Sequence, residues 1–558
     1  MSARRVLRAL RPRRRQRDER GYIAVMSALL LIVLVSLSAF AVDVGNWYLV
    51  SQRAQRAADA AALAGVTKLP GSQTNAYALA QQYAKNNGFD NADTSVTVVP
   101  SRGTNATQLR VDVSRTVNNF FGSLLGLSTS NVSSHAIADY TGPIPMGSPC
   151  NEFGNDPEAS SSVRASSCSA VNGNLWANVN GPDAQKQNGD AYSSLRCSTT
   201  AAGQDGCSSG TNSQYDASGY LFDITVKSAL PSLNIQLFDP VTVNVGLTCG
   251  TGFGSNTTAA TQAVNPWHAA SNSGSDRYVS GVSSDYCTGD NHYDTSNSQV
   301  QRTRFVVRAP GVSSWDPMSG AIVCDVTYDG YTGTLFNVLN ASSSSTYKAS
   351  IAENFRRWVD FCPVSNPVQG TYTLQVTSNV AGAYQNADTG NRFAVRATTG
   401  TTAGLNAITV SGRERMGIFA NKNGSVTTFH LARVPSGTGG STLKVSLYDV
   451  GDSTAAGTIK IVNPTGGNYS GCTGSGVTTT ISATCSFSVP AGTSSSPNAF
   501  NGRFQNINVP IPTGYSCNDN DPTDCWVKLV YDYGSSAQPT DVTAWSAQLE
   551  GDPIRLIE

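Results

Sequence analysis

Asp519, Asp521 and Asp524 stand close together in a loop bounded by Cys517 and Cys525. Closely spaced carboxylates on a constrained loop offer the hard oxygen ligands that calcium takes, although the Gly and the distal Glu of an EF-hand loop are missing. The loop reads either as a calcium site or as a solvated turn closed by a disulfide; no other cofactor is implied. The four histidines, His135, His268, His292 and His430, are not spaced for a zinc helix, and no GxxxxGK loop occurs. The usual metalloprotease and nucleotide-binding signatures are therefore absent. Carboxylates distant in sequence could meet in a glycosidase-like cleft, but the expectation is a protein that is not an enzyme. Trp267, Trp315 and Trp358 offer flat apolar faces for stacking on a sugar, or simply bulk for a core.

Twelve cysteines, Cys150, Cys168, Cys197, Cys207, Cys249, Cys287, Cys324, Cys362, Cys472, Cys485, Cys517 and Cys525, form an even set with none before residue 150 and no CxxC. In an oxidising compartment they make a disulfide framework rather than a redox or zinc site. Spacing leaves the connectivity open, with Cys472–Cys485 and Cys517–Cys525 as the simplest neighbour pairs.

These groups are placed outside a membrane by the residues that precede them. Positions 22–42, YIAVMSALLLIVLVSLSAFAV, run without a charge, and as a helix rising about 1.5 Å per residue they cross the roughly 30 Å hydrocarbon core. A cleavable signal would have a shorter apolar run, of about 7–15 residues, with Ser38, Ala39 and Ala41 as its small-residue site. The length predicts a retained transmembrane helix. Nine of the first 20 residues are arginine, which puts the N-terminus in the cytoplasm and residues 43–558 outside. The 558-residue chain balances 38 basic against 38 acidic groups, so the part after residue 20 holds 29 and 36, a net of −7. That sign excludes nucleic acid as a partner. Charged residues make up 14 % of the chain and hydrophobic ones 39 %, which suits a loop-rich secreted β protein and not a charged disordered chain.

From Asn46 to Gly65 the chain reads NWYLVSQRAQRAADAAALAG, so strong helix formers carry the membrane helix onward to a Gly stop. Ala54, Ala57, Ala58, Ala61 and Gly65 fall three or four apart, a face of small side chains where another backbone comes close. That backbone belongs either to the chain's own next element or to another subunit. A second helix is predicted over 74–88, with Thr74 as N-cap and Gly88 at its end. Strands are predicted over 95–99 and 109–113, followed by a short apolar helix in VNNFFGSLLG and a strand over 131–138. Residues 43–142 thus read as a small α+β module.

Arg20-Gly21 opening the span, AVDVG at 41–45, an Arg/Gln pair and AADAAALAG at 57–65 resemble the N-terminal module of the Tad (tight adherence) pilus-assembly proteins, the TadE/TadG-like family. The resemblance implies a membrane-anchored part in assembling or anchoring a fine adhesive Flp pilus. It implies pilus-assembly proteins or pilin subunits as partners, and Asp43, Gly45, Ala57, Ala58, Asp59, Ala61 and Gly65 as the assembly helix. Prepilin-like relatives carry a Glu five residues after a cleavage-site Gly; Met26 stands there after Gly21, so the span is expected to stay attached. Larger relatives carry a metal-binding von Willebrand A domain marked by Asp-x-Ser-x-Ser. The nearest string, Asp112-Val113-Ser114-Arg115-Thr116, ends in Thr on an alternating strand and reads as a chance match.

From residue 143 onward, strand-like segments between Gly, Ser, Asn and Pro clusters predict two jelly-roll-like sandwiches, 143–413 and 414–558, stapled by disulfides. Two internal echoes point to a repeat. GYLFDITVKSALPSLNIQLFDP at 219–240 echoes TFHLARVPSGTGGSTLKVSLYDVGD at 428–452, and TRFVVRAPG at 303–311 echoes NRFAVRATTG at 391–400. The expected fold is a cytoplasmic Arg-rich segment, 1–20, and a single N-terminal transmembrane helix, 21–42, continuing into the small α+β module. A mainly β, disulfide-bearing ectodomain follows. The alternative to an assembly role is a surface adhesin whose β-rich head binds a glycan or another cell-surface ligand, with the helix as a mere anchor.

Overall fold

The computed structural model describes residues 20–69, 73–103 and 108–140, most of 143–243, 288–293, most of 301–549, and Ile554–Leu556. Helix α1, Arg20–Val66, holds 47 residues in one piece, a rod of about 70 Å at 1.5 Å per residue. Its two halves bury different things. From Tyr22 to Val42 the large apolar side chains stand clear of the protein, among them Leu29, Leu34 and Phe40, so this half is long and apolar enough to cross a bilayer. Beyond it, Ala54, Ala57, Ala58, Ala61 and Ala62 are fully buried.

Helix α2, Gln73–Asn86, packs on this second half through Ala76, Ala80 and Ala84. It begins one residue before Thr74, which therefore lies inside the helix instead of capping it. Strands β1 (Val96–Arg102), β2 (Gln108–Asn118) and β3 (Thr129–Tyr140) form an antiparallel sheet with Val98 opposite Val113 and Val111 opposite Ala136. Alternation sends Val96, Val98, Leu109, Val111, Val113, Ala136 and Ala138 onto the helices. Asp112 sits in mid-β2 and pairs with Arg110 at 2.7 Å. The sheet has a fourth member that no local pattern announces: the terminal strand Ile554–Leu556 lies against β3, with Ile554 opposite Tyr140 and Leu556 opposite Ala138.

The strands in the rest of the described chain pair antiparallel, with two one-turn helices, Ala349–Ala352 and Thr402–Leu405, between them. One ladder runs Ile322–Asp329, Arg302–Arg308, Gly370–Ser378, Tyr220–Val226, Ile408–Arg413. Another runs Trp358–Ser365, Ser232–Phe238, Thr389–Thr398. Phe305 and Phe393, equivalent positions of the second sequence echo, meet edge to face in the core with ring centroids 5.1 Å apart. The first echo is also structural: each copy gives two strands, Tyr220–Val226 with Ser232–Phe238 and Val426–Arg433 with Thr442–Tyr448. Each copy ends on a buried aspartate, Asp239 or Asp449, with a φ of 55°.

The boundary expected at 413/414 runs through continuous structure. Leu175–Asn180 pairs with both Thr389–Thr398 and Arg415–Asn421, and Pro145–Gly147 pairs with both Ile408–Arg413 and Val426–Arg433. One hydrophobic core extends from Ile144 to Leu549. Short early strands inserted between later ones leave no composition shift to mark this interleaving. Among the described residues five disulfides join nearest neighbours in sequence: Cys150–Cys168, Cys197–Cys207, Cys324–Cys362, Cys472–Cys485 and Cys517–Cys525, with Cα separations of 5.1 to 5.8 Å, inside the usual range. Cys249 and Cys287 lie outside the described residues.

Candidate functional site

Asp43 is the first charged residue after the apolar run and is buried, 2 % exposed. In a helix the Cα–Cβ bond leans toward the N-terminus, so its carboxylate reaches back toward the membrane end of α1. There it accepts three backbone hydrogen bonds, from the N–H groups of Phe120 at 2.7 Å, Phe121 at 3.1 Å and Gly122 at 2.7 Å. These are the donors at the start of the 3-10 turn Gly122–Leu125, whose own preceding side chain caps nothing. A side chain 77 residues away thus supplies the cap.

The contact is the lowest step of a polar ladder. Trp47, one turn on, donates from Nε1 to Asn119 Oδ1 at 2.8 Å. Asn119 in turn donates to the Leu127 carbonyl at 2.8 Å and the Ser130 hydroxyl at 3.0 Å, tying the two ends of the β2–β3 turn together. Ser51 meets Ser134, whose hydroxyl donates to the Ser51 carbonyl at 3.2 Å. Gln55 donates to the His135 carbonyl at 2.9 Å and to Asp59 at 2.8 Å. Residues 43, 47, 51 and 55 are four apart and so share one helix face, which hydrogen-bonds to the β2–β3 hairpin while the adjacent alanines pack on the sheet. This ladder fixes the angle at which the module leaves the span.

Burial pulls the Asp43 carboxyl upward in pKa, but the Gly122, Phe120 and Phe121 amides outweigh it and hold the value below the ordinary 3.8. A carboxylate whose pKa is lowered by folding contributes fully above its unfolded value and loses that contribution as pH falls through the folded one. The cap is therefore complete above about pH 4 and fails only in stronger acid. In Asp43→Ala the amides of 120–122 should exchange with solvent about two orders of magnitude faster while those of the strand Thr540–Leu549 keep their protection. Hydrogen exchange of the full chain checks this, and unchanged protection at 120–122 would remove the capping role.

The other residues expected to form an assembly helix divide. Ala57, Ala58 and Ala61 are core. Gly65 lies where a Cβ would come within 2.5 Å of Leu109 Cδ2, 2.7 Å of the Ala76 carbonyl oxygen and 2.9 Å of Ala80 Cβ, so it admits α2. Of the two readings of the small-residue face, the chain's own next element takes it. Asp59 is half-buried and held by Gln55, and Gly45 is exposed with open space around it. Trp47, Asn119, Phe120 and Phe121 were not anticipated; the four-residue spacing of Asp43, Trp47, Ser51 and Gln55 was the available signal.

In the 517–525 loop each carboxylate faces its own surroundings. Asp519 accepts from the Ser436 N–H at 3.1 Å, Asp521 from Thr523 at 2.8 and 2.7 Å, and Asp524 from the Asn518 N–H at 2.9 Å and the Cys525 N–H at 2.7 Å. The Arg433 guanidinium donates to the Asp519 carbonyl at 2.9 Å and the Asp521 carbonyl at 3.3 Å. The loop is thus closed by its disulfide and folded on an arginine that donates to its main-chain carbonyls. Trp358 is half-buried; it donates to Asp156 at 3.0 Å and carries the Arg396 guanidinium 4.0 Å above its ring. Its ring is thereby engaged in internal packing. Trp267 and Trp315 lie outside the described residues.

Residues 21–68 match the family model described as "Putative Flp pilus-assembly TadE/G-like". The matched stretch covers nearly the whole of α1 and includes the full ladder from Asp43 to Asp59. No curated protein and no solved structure matches the chain.

Proposed function

We propose that this chain, with its Tad-like residues 21–68, is a membrane-anchored, non-enzymatic component of Flp/Tad-type pilus assembly or anchoring. The N-terminus lies in the cytoplasm and the β-rich region faces outward. The supporting observation is the coincidence between the family match and α1: one helix supplies both the exposed apolar half and the half that builds the module. The arginines before the span favour this orientation, and disulfides fit an oxidising exterior. The partners are pilus-assembly proteins or pilin subunits meeting α1 and its module, with the head held beyond them.

Cells lacking the chain should lose surface pili, counted by electron microscopy, and the full chain should restore them. A form in which a flexible linker replaces residues 143–549, so that the terminal strand can still reach β3, separates the two regions. Restoration by that form assigns assembly to the membrane-proximal module. Normal pilus numbers without the chain would overturn the proposal.

A further inference from the structure

The β2–β3 turn carries an apolar surface that none of the described residues covers. Phe120 is 65 % exposed, Phe121 42 % and Leu127 63 %. The sequence around them, NFFGSLLGLS at 119–128, has no charge, and no Asp, Glu, Lys or Arg stands between Arg115 and Asp139. Solvent-facing turns are ordinarily polar, so a turn of this composition calls for an apolar neighbour.

The position of the turn identifies that neighbour. The Asp43 carboxylate binds the 120–122 backbone at the height where the apolar run of α1 ends, and leans toward the bilayer in doing so. Asn119, joined to Trp47, stands about one helical turn further out. The strands therefore descend toward the membrane and reverse at its surface. Aromatic side chains gather at that depth, where an apolar ring meets the headgroup layer.

We propose that the β2–β3 turn is a second membrane contact, in which Phe120, Phe121 and Leu127 enter the interfacial layer of the leaflet from which α1 emerges. The partner is the lipid surface itself, and the contact is continuous with the span. This inference rests on the reading of residues 22–42 as a membrane helix. With two points on the bilayer, the helix and a turn fastened beside it, the module is held at one height and one tilt, which a single helix would leave free.

The test uses the full chain in vesicles of phosphatidylethanolamine and phosphatidylglycerol, with the photoreactive residue p-benzoylphenylalanine placed singly at Phe121, at Leu34 inside the span and at Lys444 on an outer strand. Ultraviolet illumination should give phospholipid adducts, read by mass spectrometry, at positions 34 and 121, with position 444 lower by an order of magnitude. Adducts at 34 but none at 121 overturn the second contact and leave the anchor standing. A protein adduct at 121 instead makes the turn a subunit contact and also overturns it. Absence of lipid at 34 overturns the anchor reading on which the inference rests.

Discussion

Replacing Ala58 by leucine and Gly65 by valine is expected to unfold the membrane-proximal module while the head stays folded. Ala58 has no exposed surface, and a leucine there must displace neighbours that are themselves close-packed, typically at a cost of about 1–3 kcal/mol. Gly65 is less forgiving. A Cβ there would come within 2.7 Å of a backbone oxygen of α2, which cannot rotate away as a side-chain tip can, so valine must push the whole helix outward. Together the two changes should cost about 5 kcal/mol or more, comparable to the entire stability of a small domain. Limited proteolysis should then cut within β1 to β3 and spare the disulfide-bearing strands. Arg53→Ala, on the exposed side of the same helix, is the control and should change stability by less than about 0.5 kcal/mol. A double variant that keeps the module protease-resistant but loses its pilus partners would show that these positions face another subunit after all. If the module unfolds as expected, a pilus defect in such variants reports lost folding and says nothing about a partner's binding surface.

The second large effect belongs to the head. Cys324 and Cys362 are 38 residues apart in sequence, and they join Ile322–Asp329 of one ladder to Trp358–Ser365 of the other. Removing both sulfurs as Cys324→Ala with Cys362→Ala frees a long loop in the unfolded chain, and the loop-entropy relation puts the loss at about 4 kcal/mol. The ten-residue Cys197–Cys207 loop should matter less, at about 3 kcal/mol. Denaturant unfolding of the head, followed by tryptophan fluorescence, gives the comparison. An equal or larger effect for Cys197–Cys207 would show that native packing, and not chain entropy, sets the order.

What could be read in advance follows the range of the interactions. The long helix, α2 and the strands of the module carry their signal in neighbouring residues, as apolar run, alanine spacing and alternation. Asp43 was identifiable as a conspicuous charge at the end of a span, but its partners come from Phe120 to Gly122, and nothing at position 43 names them. Gly65 looked like a helix stop because it stands one residue from the end of α1; its physical reason is the approach of Ala76 and Ala80. The terminal strand has three residues, too few for any periodicity, and its pairing with β3 depends entirely on the folded chain. The same holds for the acidic loop, where Arg433, distant in sequence, donates to the main-chain carbonyls of Asp519 and Asp521.

Tyr140 and Ile554 face each other across one strand spacing, about 4.8 Å, and the whole β-rich region lies in the chain between them. A body hung from one strand turns about any axis, like a weight on a cord. Hung from two strands locked side by side, with Lys68 of the module donating to the Gly311 carbonyl at 3.1 Å as a further tie, it is stiff against spinning. Torque on the β-rich region would therefore pass to the module and α1 instead of being lost in free rotation.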